Sequence, residues 1–286
     1  MTTPTVLVIG GTGQQGGSTI RALLQQGGFT IRTLSRNPDS PSAKKLSEQH
    51  VQVLKGDVTN KASLVAALQG ADIIYFMTDN TGPQGAAGEV VQGKAILEAI
   101  HEVGVKRVVF SSVQSADRTA SIGGVPHFES KAEIEKLIKA SELQWTILRP
   151  AAFMDFIPLS GLGRYMTLGL IGAILGQKKL QFIATEDIGI VAAKAIAEPE
   201  RFSGKTIDLA GDELSAEEIQ AVFKKVTGQR ADKAPLPSFL AKMMLNHDLK
   251  QMFNVSQPSP PWISSLHISD LFFSVLLRSG IRYRHL

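Results

Sequence analysis

Glycines at three-residue spacing lie near the start of the chain, in the segment GGTGQQG that runs from Gly10 to Gly16. A hydrophobic run precedes the segment, and a helical pattern begins within it. Glycine permits a tight turn and a close approach of the backbone to a diphosphate, whose charge the free N–H groups of a helix start attract. The segment therefore predicts a dinucleotide-binding turn formed by Gly10, Gly11, Thr12, Gly13, Gln14, Gln15 and Gly16. A glycine-rich turn that binds no ligand is the alternative.

The end of the second predicted strand indicates which dinucleotide is bound. Arg36 lies twenty residues after Gly16, and no acidic residue occurs from Phe29 through Pro38. An acidic residue at this place binds the ribose of NAD, whereas an arginine accommodates the 2′-phosphate of NADP. NADP(H) is therefore the predicted cofactor, and a solvated loop cation is the alternative interpretation of Arg36.

A carboxylate follows the third predicted strand, in the sequence Gly56-Asp57-Val58. Asp57 could accept a hydrogen bond from the amino group of adenine. It could equally form an Asp-type turn or cap before the next helix. The sequence leaves both interpretations open.

The elements that would position these residues alternate between short β-branched runs and longer helical patterns. Strands are predicted at residues 5–10, 30–35, 51–55, 72–77, 107–112 and 144–149. Helices are predicted between them at residues 14–26, 43–49, 61–69, 85–103 and 130–140. Such alternation predicts an α/β fold with a doubly wound parallel sheet of the Rossmann type.

The alternation loosens after residue 150. We therefore predict a dinucleotide-binding domain at 1–150, a smaller, mostly helical substrate region at 151–253 that is interleaved with the sheet, and an atypical tail at 254–286. A helix near 185–198, a strand near 206–210 and a helix at 216–226 are predicted in the second region. The apolar stretch 153–175 could line a substrate pocket or pack within the core.

Six motifs resemble the NmrA-like branch of the atypical short-chain dehydrogenase/reductase superfamily. They are GGTGQQG, SRNP (35–38), GDV (56–58), SSV (111–113), HFESK (127–131) and RPAAFMDF (149–156). The resemblance covers roughly residues 5 to 253, and the tail does not resemble the family. It implies that NADP(H) is held by the glycine turn and by Arg36, Asn37, Pro38, Asp39, Ser40, Asp57, Val58, Thr78, Asp79, Asn80 and Lys131. It also implies that Phe153, Met154, Asp155 and Phe156 lie near the nicotinamide.

The resemblance also raises the question of which residue transfers a proton. Ordinary short-chain dehydrogenases use a Tyr-x-x-x-Lys pair, but none of the three tyrosines here has a lysine four residues later. Lys131 retains the lysine of the pair, and His127 stands one helical turn before it. Either could transfer a proton, or His127 could be structural and Lys131 could bind the cofactor alone. Ser111 stands where the superfamily places a serine that orients the substrate.

Two functions from different classes fit these residues. The first is an NADP(H)-dependent oxidoreductase acting on a small, apolar carbonyl, enone or quinone-like compound. The second is a redox sensor that binds NADP(H) without turnover and regulates a protein partner such as a transcription factor. A small-molecule substrate is predicted for the first function, and a homodimer is left open for both.

Composition excludes several other classes of site. The chain of 286 residues contains no cysteine, which excludes disulfides, thiolate catalysis and cysteine-ligated zinc. Its six histidines lack metal-ligand spacing, so no metal site is predicted. The net charge of +4 is spread along the chain, which argues against a nucleic-acid surface. No membrane span is predicted, and the strand that starts at Thr5 predicts a cytoplasmic protein without a leader.

Overall fold

The computed structural model describes residues 3–117 and 124–244. These residues form two compact units. The first unit contains residues 3–117, 126–150 and 185–209, and the second contains residues 124–125, 151–184 and 210–244. The predicted tail at 254–286 lies outside the described residues.

The first unit is built on a parallel sheet. Its strands are β1 (Thr5–Val8), β2 (Thr30–Ser35), β3 (Gln52–Lys55), β4 (Ile73–Met77), β5 (Arg107–Ser111), β6 (Gln144–Pro150) and β9 (Lys205–Leu209). They pair side by side in the order β3-β2-β1-β4-β5-β6-β9, and every pair is parallel. The order reverses beside β1, and in such sheets ligands bind outside the carboxyl ends of the strands at this point. The predicted doubly wound α/β fold is confirmed.

Helices cover both faces of this sheet. They are α1 (Gln14–Gln26), α2 (Pro41–Glu48), α3 (Lys61–Leu68), α4 (Gly85–Val103), α5 (Pro126–Lys139), α7 (Thr185–Ala197) and α8 (Pro199–Phe202). Leu7, Ile74 and Phe110 pack into one fully buried cluster with side chains of α3, α4 and α5. Their neighbours along the strands, such as Val6 and Ile73, point to the opposite face and are equally buried. Burial on both faces explains why these strands are almost continuously apolar.

Two helices approach each other unusually closely beside the glycine turn. Gly189 of α7 lies against the backbone of Ser18 in α1, where an added Cβ would come within 2.4 Å of the Ser18 carbonyl carbon. The small residues Gly16, Gly17, Ser18 and Thr19 are all buried in this part of α1. The sequence near the turn therefore serves helix packing as well as the turn itself.

The second unit has a sheet and a core of its own. Its strands β7 (Ala152–Phe153), β8 (Leu180–Ile183) and β10 (Asp212–Leu214) pair in the order β10-β8-β7, and a 3-10 turn covers Met154–Phe156. Its helices are α6 (Gly161–Leu175), α9 (Ala216–Thr227) and α10 (Ser238–Met244). Ser215 caps α9 in a complete capping box with Glu218. Sequence patterns did not predict the three-stranded sheet, because each strand has four residues or fewer.

The described residues contain neither a membrane-spanning helix nor a cluster of metal-ligating side chains. No helix among residues 3–117 and 124–244 is long and apolar enough to cross a membrane. Nor do three His, Asp or Glu side chains come together there in a way that could hold a metal ion.

Candidate functional site

The glycine segment forms a tight turn between β1 and α1. Gly10 adopts a left-handed backbone conformation with φ of +73°, which favours glycine. The N–H of Gly13 donates to the carbonyl oxygen of Gly10 at 2.9 Å and closes the turn. The buried hydroxyl of Thr33, on β2, accepts from the N–H of Gly11 at 3.2 Å and donates to the carbonyl of Val8 at 2.7 Å. This hydroxyl ties the turn to the neighbouring strand.

At two other glycines of the turn, Gly11 and Gly16, there is no room for a side chain. A Cβ on Gly16 would lie 2.3 Å from the carbonyl oxygen of Gly10, and one on Gly11 would lie 2.4 Å from the hydroxyl oxygen of Thr33. The first turn of α1 carries no acidic residue, and its N-cap, Gly13, offers no side-chain bond. The N–H groups of Gln14, Gln15 and Gly16 donate to no acceptor among the described residues. Free N–H groups at the positive end of a helix dipole suit a diphosphate.

The loop after β2 leaves its guanidinium group exposed. Arg36 makes no hydrogen bond or ion pair with the described residues, whereas the loop around it is held by its own polar groups. The side chain of Asn37 accepts from the N–H of Asp39 at 3.1 Å, and Ser40 caps α2 by accepting from the N–H of Ala43 at 3.4 Å. A fixed loop with a free cation could hold a phosphate.

Asp57 forms the turn that was one of its two predicted roles. One carboxylate oxygen accepts from both the N–H and the hydroxyl of Thr59, each at 2.9 Å. The hydrogen bond from the Thr59 backbone lowers the pKa of Asp57, and the charge of Arg36 lowers this pKa further. Val58 packs partly buried against the core. A role of Asp57 toward adenine stays a prediction.

Lys131, on α5, reaches across to the carboxyl end of β4. Its ammonium group donates to the carbonyl oxygen of Thr78 at 2.7 Å, to the hydroxyl of Thr78 at 2.9 Å and to one carboxylate oxygen of Glu89. Burial holds the pKa of Lys131 below its ordinary value, although the charge of Glu89 and its hydrogen bond act in the opposite direction. All three ammonium hydrogens are therefore engaged within the protein.

His127 lies in the first turn of α5 and is half-buried. The helix begins at Pro126, four residues before the predicted start, so His127 and Lys131 are one helical turn apart on a single element. The His127 ring packs edge-on against Phe128, with 4.5 Å between ring centroids. Its role in proton transfer stays a prediction.

Ser111 ends β5 and is almost fully buried. Its hydroxyl donates to the side-chain oxygen of Gln15 at 2.7 Å, which links β5 to the start of α1. The structure thus brings Ser111 beside the glycine turn, and orienting a substrate would require its hydroxyl to give up this bond.

The remaining predicted residues lie in two different places. Asp79 forms a turn by accepting from the N–H of Thr81 at 2.8 Å, and Asn80 lies half-buried beside it. Phe153–Phe156 belong to the second unit, where Met154 packs against the core and Phe156 is 48% exposed. Their proximity to a nicotinamide ring stays a prediction.

Sequence reasoning missed two buried carboxylates next to the predicted residues. Glu89 bonds Lys131, and Glu135 receives a bidentate pair of hydrogen bonds from Arg149 at 2.9 and 2.7 Å. Both glutamates lie on the apolar faces of their helices, Glu135 directly beside Ile134. An acidic residue at a core position of a helix was the signal that could have found them.

The comparison with protein families gives one match that spans most of the chain. The model of the NmrA-like family matches residues 2–260. The chain belongs to the NmrA-like family.

Three relatives illustrate the family's range. An NmrA-like family domain-containing oxidoreductase of Cladobotryum sp. is 28% identical over 280 residues, covering 88% of this chain and 83% of that protein. Quinone oxidoreductase 2 of Escherichia coli is 27% identical over 260 residues, covering 85% and 87%. NAD(P)H azoreductase of Xenophilus azovorans is 29% identical over 227 residues, covering 78% and 74%.

Solved structures of other proteins have the same fold as this NmrA-like chain. Triphenylmethane reductase of Citrobacter sp., solved with NADP(H), is 20% identical with a TM-score of 0.71, covering 90% of this chain and 92% of that one. NmrA, a negative transcriptional regulator solved with NADP, is 17% identical with a TM-score of 0.69, covering 88% and 80%.

Proposed function

We propose that this NmrA-like protein is an NADP(H)-dependent oxidoreductase that acts on a small, apolar carbonyl, enone or quinone-like compound. The main support is the glycine turn, where the N–H groups of Gln14, Gln15 and Gly16 donate to no acceptor among the described residues. Such a turn fits the diphosphate of a dinucleotide.

Residues at the carboxyl ends of neighbouring strands would hold the rest of the cofactor. The guanidinium group of Arg36, which bonds no group among the described residues, could bind a 2′-phosphate. The second carboxylate oxygen of Asp57 takes no part in the Asp57 turn. Lys131 and Thr78 form a polar pair beyond β4, and to bind a ribose hydroxyl Lys131 would have to release one of its three internal hydrogen bonds. When bound, NADPH supplies a hydride, which the protein must complement with a proton.

Two groups on α5 could deliver that proton. Lys131 carries three acidic hydrogens, but the loss of one leaves the buried carboxylate of Glu89 without its counter-charge, so Lys131 would have to regain a proton after each transfer. His127 stands on the same helix one turn away, and an imidazole can exchange a proton near neutral pH. Neither requires the tyrosine that ordinary short-chain dehydrogenases use.

The substrate class follows from chemistry and from the names of the relatives. Quinone, azo and triphenylmethane compounds, named for three similar proteins, are conjugated and electron-poor. Such compounds accept a hydride directly. Quinones and azo compounds then need one proton, whereas a triphenylmethane cation needs the hydride alone, so the protein mainly has to exclude water and, for the first two, supply that proton.

The first prediction tests turnover. Incubating the protein with NADPH and a panel of quinones, enones, aldehydes and azo compounds is expected to give a steady, protein-dependent loss of absorbance at the reduced-nicotinamide band with at least one of them. Heat-denatured protein is the control. Tight NADPH binding without turnover of any compound would contradict the proposal and favour the redox sensor.

The second prediction concerns the choice of cofactor. Arg36→Asp is expected to weaken NADPH binding at least about tenfold, because a charge-assisted contact to the 2′-phosphate is lost and replaced by repulsion. Binding of NADH should stay equal or improve, so that the preference between the two is reversed. Titration calorimetry with both nucleotides measures this.

The matched control for Arg36→Asp is Lys44→Asp, which makes the same change of charge on the neighbouring helix α2. The Lys44 side chain is 61% exposed and lies 3.9 Å from Asp39. It should leave the preference for NADPH unchanged. Equal affinities of the unmutated protein for NADPH and NADH would contradict the proposal that Arg36 binds the 2′-phosphate.

A further inference from the structure

Glu89 is a buried carboxylate that the sequence motifs do not predict. It lies in α4 and is 1% exposed. One of its oxygens accepts from the hydroxyl of Thr78 at 3.0 Å and from Lys131, and the other accepts from the hydroxyl of Ser130. A buried ion costs several kcal/mol unless it is paired and hydrogen-bonded, as Glu89 is here.

Few other charged groups surround the Lys131 ammonium. Asp79 lies on the loop after β4 and adds a weaker favourable charge, while His127 lies on the same helix as Lys131. The ring of Phe110, on β5, is 5.9 Å from the ammonium nitrogen. In such surroundings burial favours a neutral amine, and Glu89 is the main group that opposes it.

The two helices that carry this pair are in close contact. A Cβ on Gly93 of α4 would lie 2.6 Å from a side-chain carbon of Ile134 on α5. Gly93 is one turn from Glu89, and Ile134 is almost one turn from Lys131. The packing of the Ile134 side chain against Gly93 therefore helps to position Glu89 relative to Lys131, together with the ion pair.

We propose that Glu89 is a positioning residue that holds Lys131 as a charged ammonium group at the carboxyl end of β4, beside Thr78. Lys131 then meets its ligands as a cation and a proton donor and not as a free base. The consequence for catalysis rests on the oxidoreductase proposed above, whereas the pairing itself can be tested without cofactor or substrate.

The test measures how fast Lys131 reacts with acetic anhydride, which acylates only neutral amines. Trace labelling and peptide mass spectrometry give this rate from neutral to alkaline pH in the protein without nucleotide. The ratio of the rate at neutral pH to the plateau rate at alkaline pH reports the neutral fraction and is independent of accessibility. Glu89→Gln is expected to raise this ratio for Lys131 about tenfold, because it removes the charge and retains an acceptor oxygen.

A second, exposed ion pair between the same helices provides the control. Lys94 of α4 and Glu133 of α5 lie 2.9 Å apart, with both side chains 49% exposed. Glu133→Gln should leave the ratio for Lys131 unchanged. An unchanged or lower ratio for Lys131 in folded Glu89→Gln would overturn the proposal.

The unmutated protein gives an independent test in case Glu89→Gln does not fold. Its Lys131 rate must still rise as the pH is raised above neutrality. A rate already on its plateau at neutral pH would show a neutral amine and overturn the proposal, whatever the outcome of the turnover assay.

Discussion

Gly16→Ala is expected to weaken NADPH binding by up to about a hundredfold, measured by titration calorimetry. The new Cβ would lie 2.3 Å from the carbonyl oxygen of Gly10 and 2.5 Å from its carbonyl carbon. Both are backbone atoms that cannot rotate away, so the turn must open or α1 must shift. Overpacking of this kind costs up to about 3 kcal/mol, and each 1.4 kcal/mol taken from binding is about tenfold in Kd.

The control separates a local steric effect from a general cost of replacing glycine. Gly82 lies on an exposed loop, has no left-handed φ, and its added Cβ would meet no atom within 4 Å. Gly82→Ala should therefore bind NADPH as the unmutated protein does. Binding by folded Gly16→Ala within about threefold of the unmutated protein would place the diphosphate elsewhere.

The glycine turn shows what the sequence predicts well. The helix at Gln14–Gln26 and the strand at Thr30–Ser35 have the predicted bounds. The glycines before the helix and the β-branched residues within the strand are strong local signals. The remaining sheet strands of the first 150 residues are within two residues of prediction. Neighbouring residue types determine where each of these elements begins and ends, and the doubly wound topology follows from the alternation of strands and helices.

The start of α5 shows where local signals fail. Ser130 was predicted to begin the helix, but the helix begins at Pro126, a residue that favours the first helical turn. Ser130 is instead buried in the helix, where its hydroxyl donates to Glu89 and lies 3.1 Å from the carbonyl oxygen of His127. A tertiary partner forty-one residues away in sequence decided the role of this serine.

Polar networks between elements could not be predicted. The sequence does not reveal that the hydroxyl of Ser111 bonds Gln15, or that the three hydrogens of Lys131 are taken by Thr78 and Glu89. These contacts depend on side-chain positions that only packed helices and strands determine. The sequence predicts which residue types form the site, but it does not predict which hydrogen bonds they make with one another.

The buried pair of Glu135 and Arg149 leads to the second large expected effect. Arg149 is 6% and Glu135 is 2% exposed. Glu135 also accepts from the hydroxyl of Ser112 at 2.6 Å, and Arg149 lies 3.0 Å from Asp117. Burial by itself lowers the pKa of Arg149, but the bonds and charges of Glu135 and Asp117 raise it above its ordinary value. The pair thus fastens α5, which carries Lys131, to the ends of β5 and β6.

Glu135→Ala should lower the free energy of unfolding by about 3–5 kcal/mol, because it leaves the guanidinium group of Arg149 buried without its main partner. That is a large part of the ~5–15 kcal/mol that stabilises a typical domain. Urea denaturation followed by circular dichroism measures the change.

Glu133→Ala is the matched control, since it removes an exposed glutamate two residues away on the same helix and should cost at most about 1 kcal/mol. The double replacement Glu135→Met with Arg149→Met should recover part of the loss, because no buried charge is then left unpaired. If Glu135→Ala cost no more than Glu133→Ala, the buried pair would contribute no more to the free energy of unfolding than an exposed ion pair does. In that case α5, and Lys131 with it, would have to be held against the sheet by its apolar face alone.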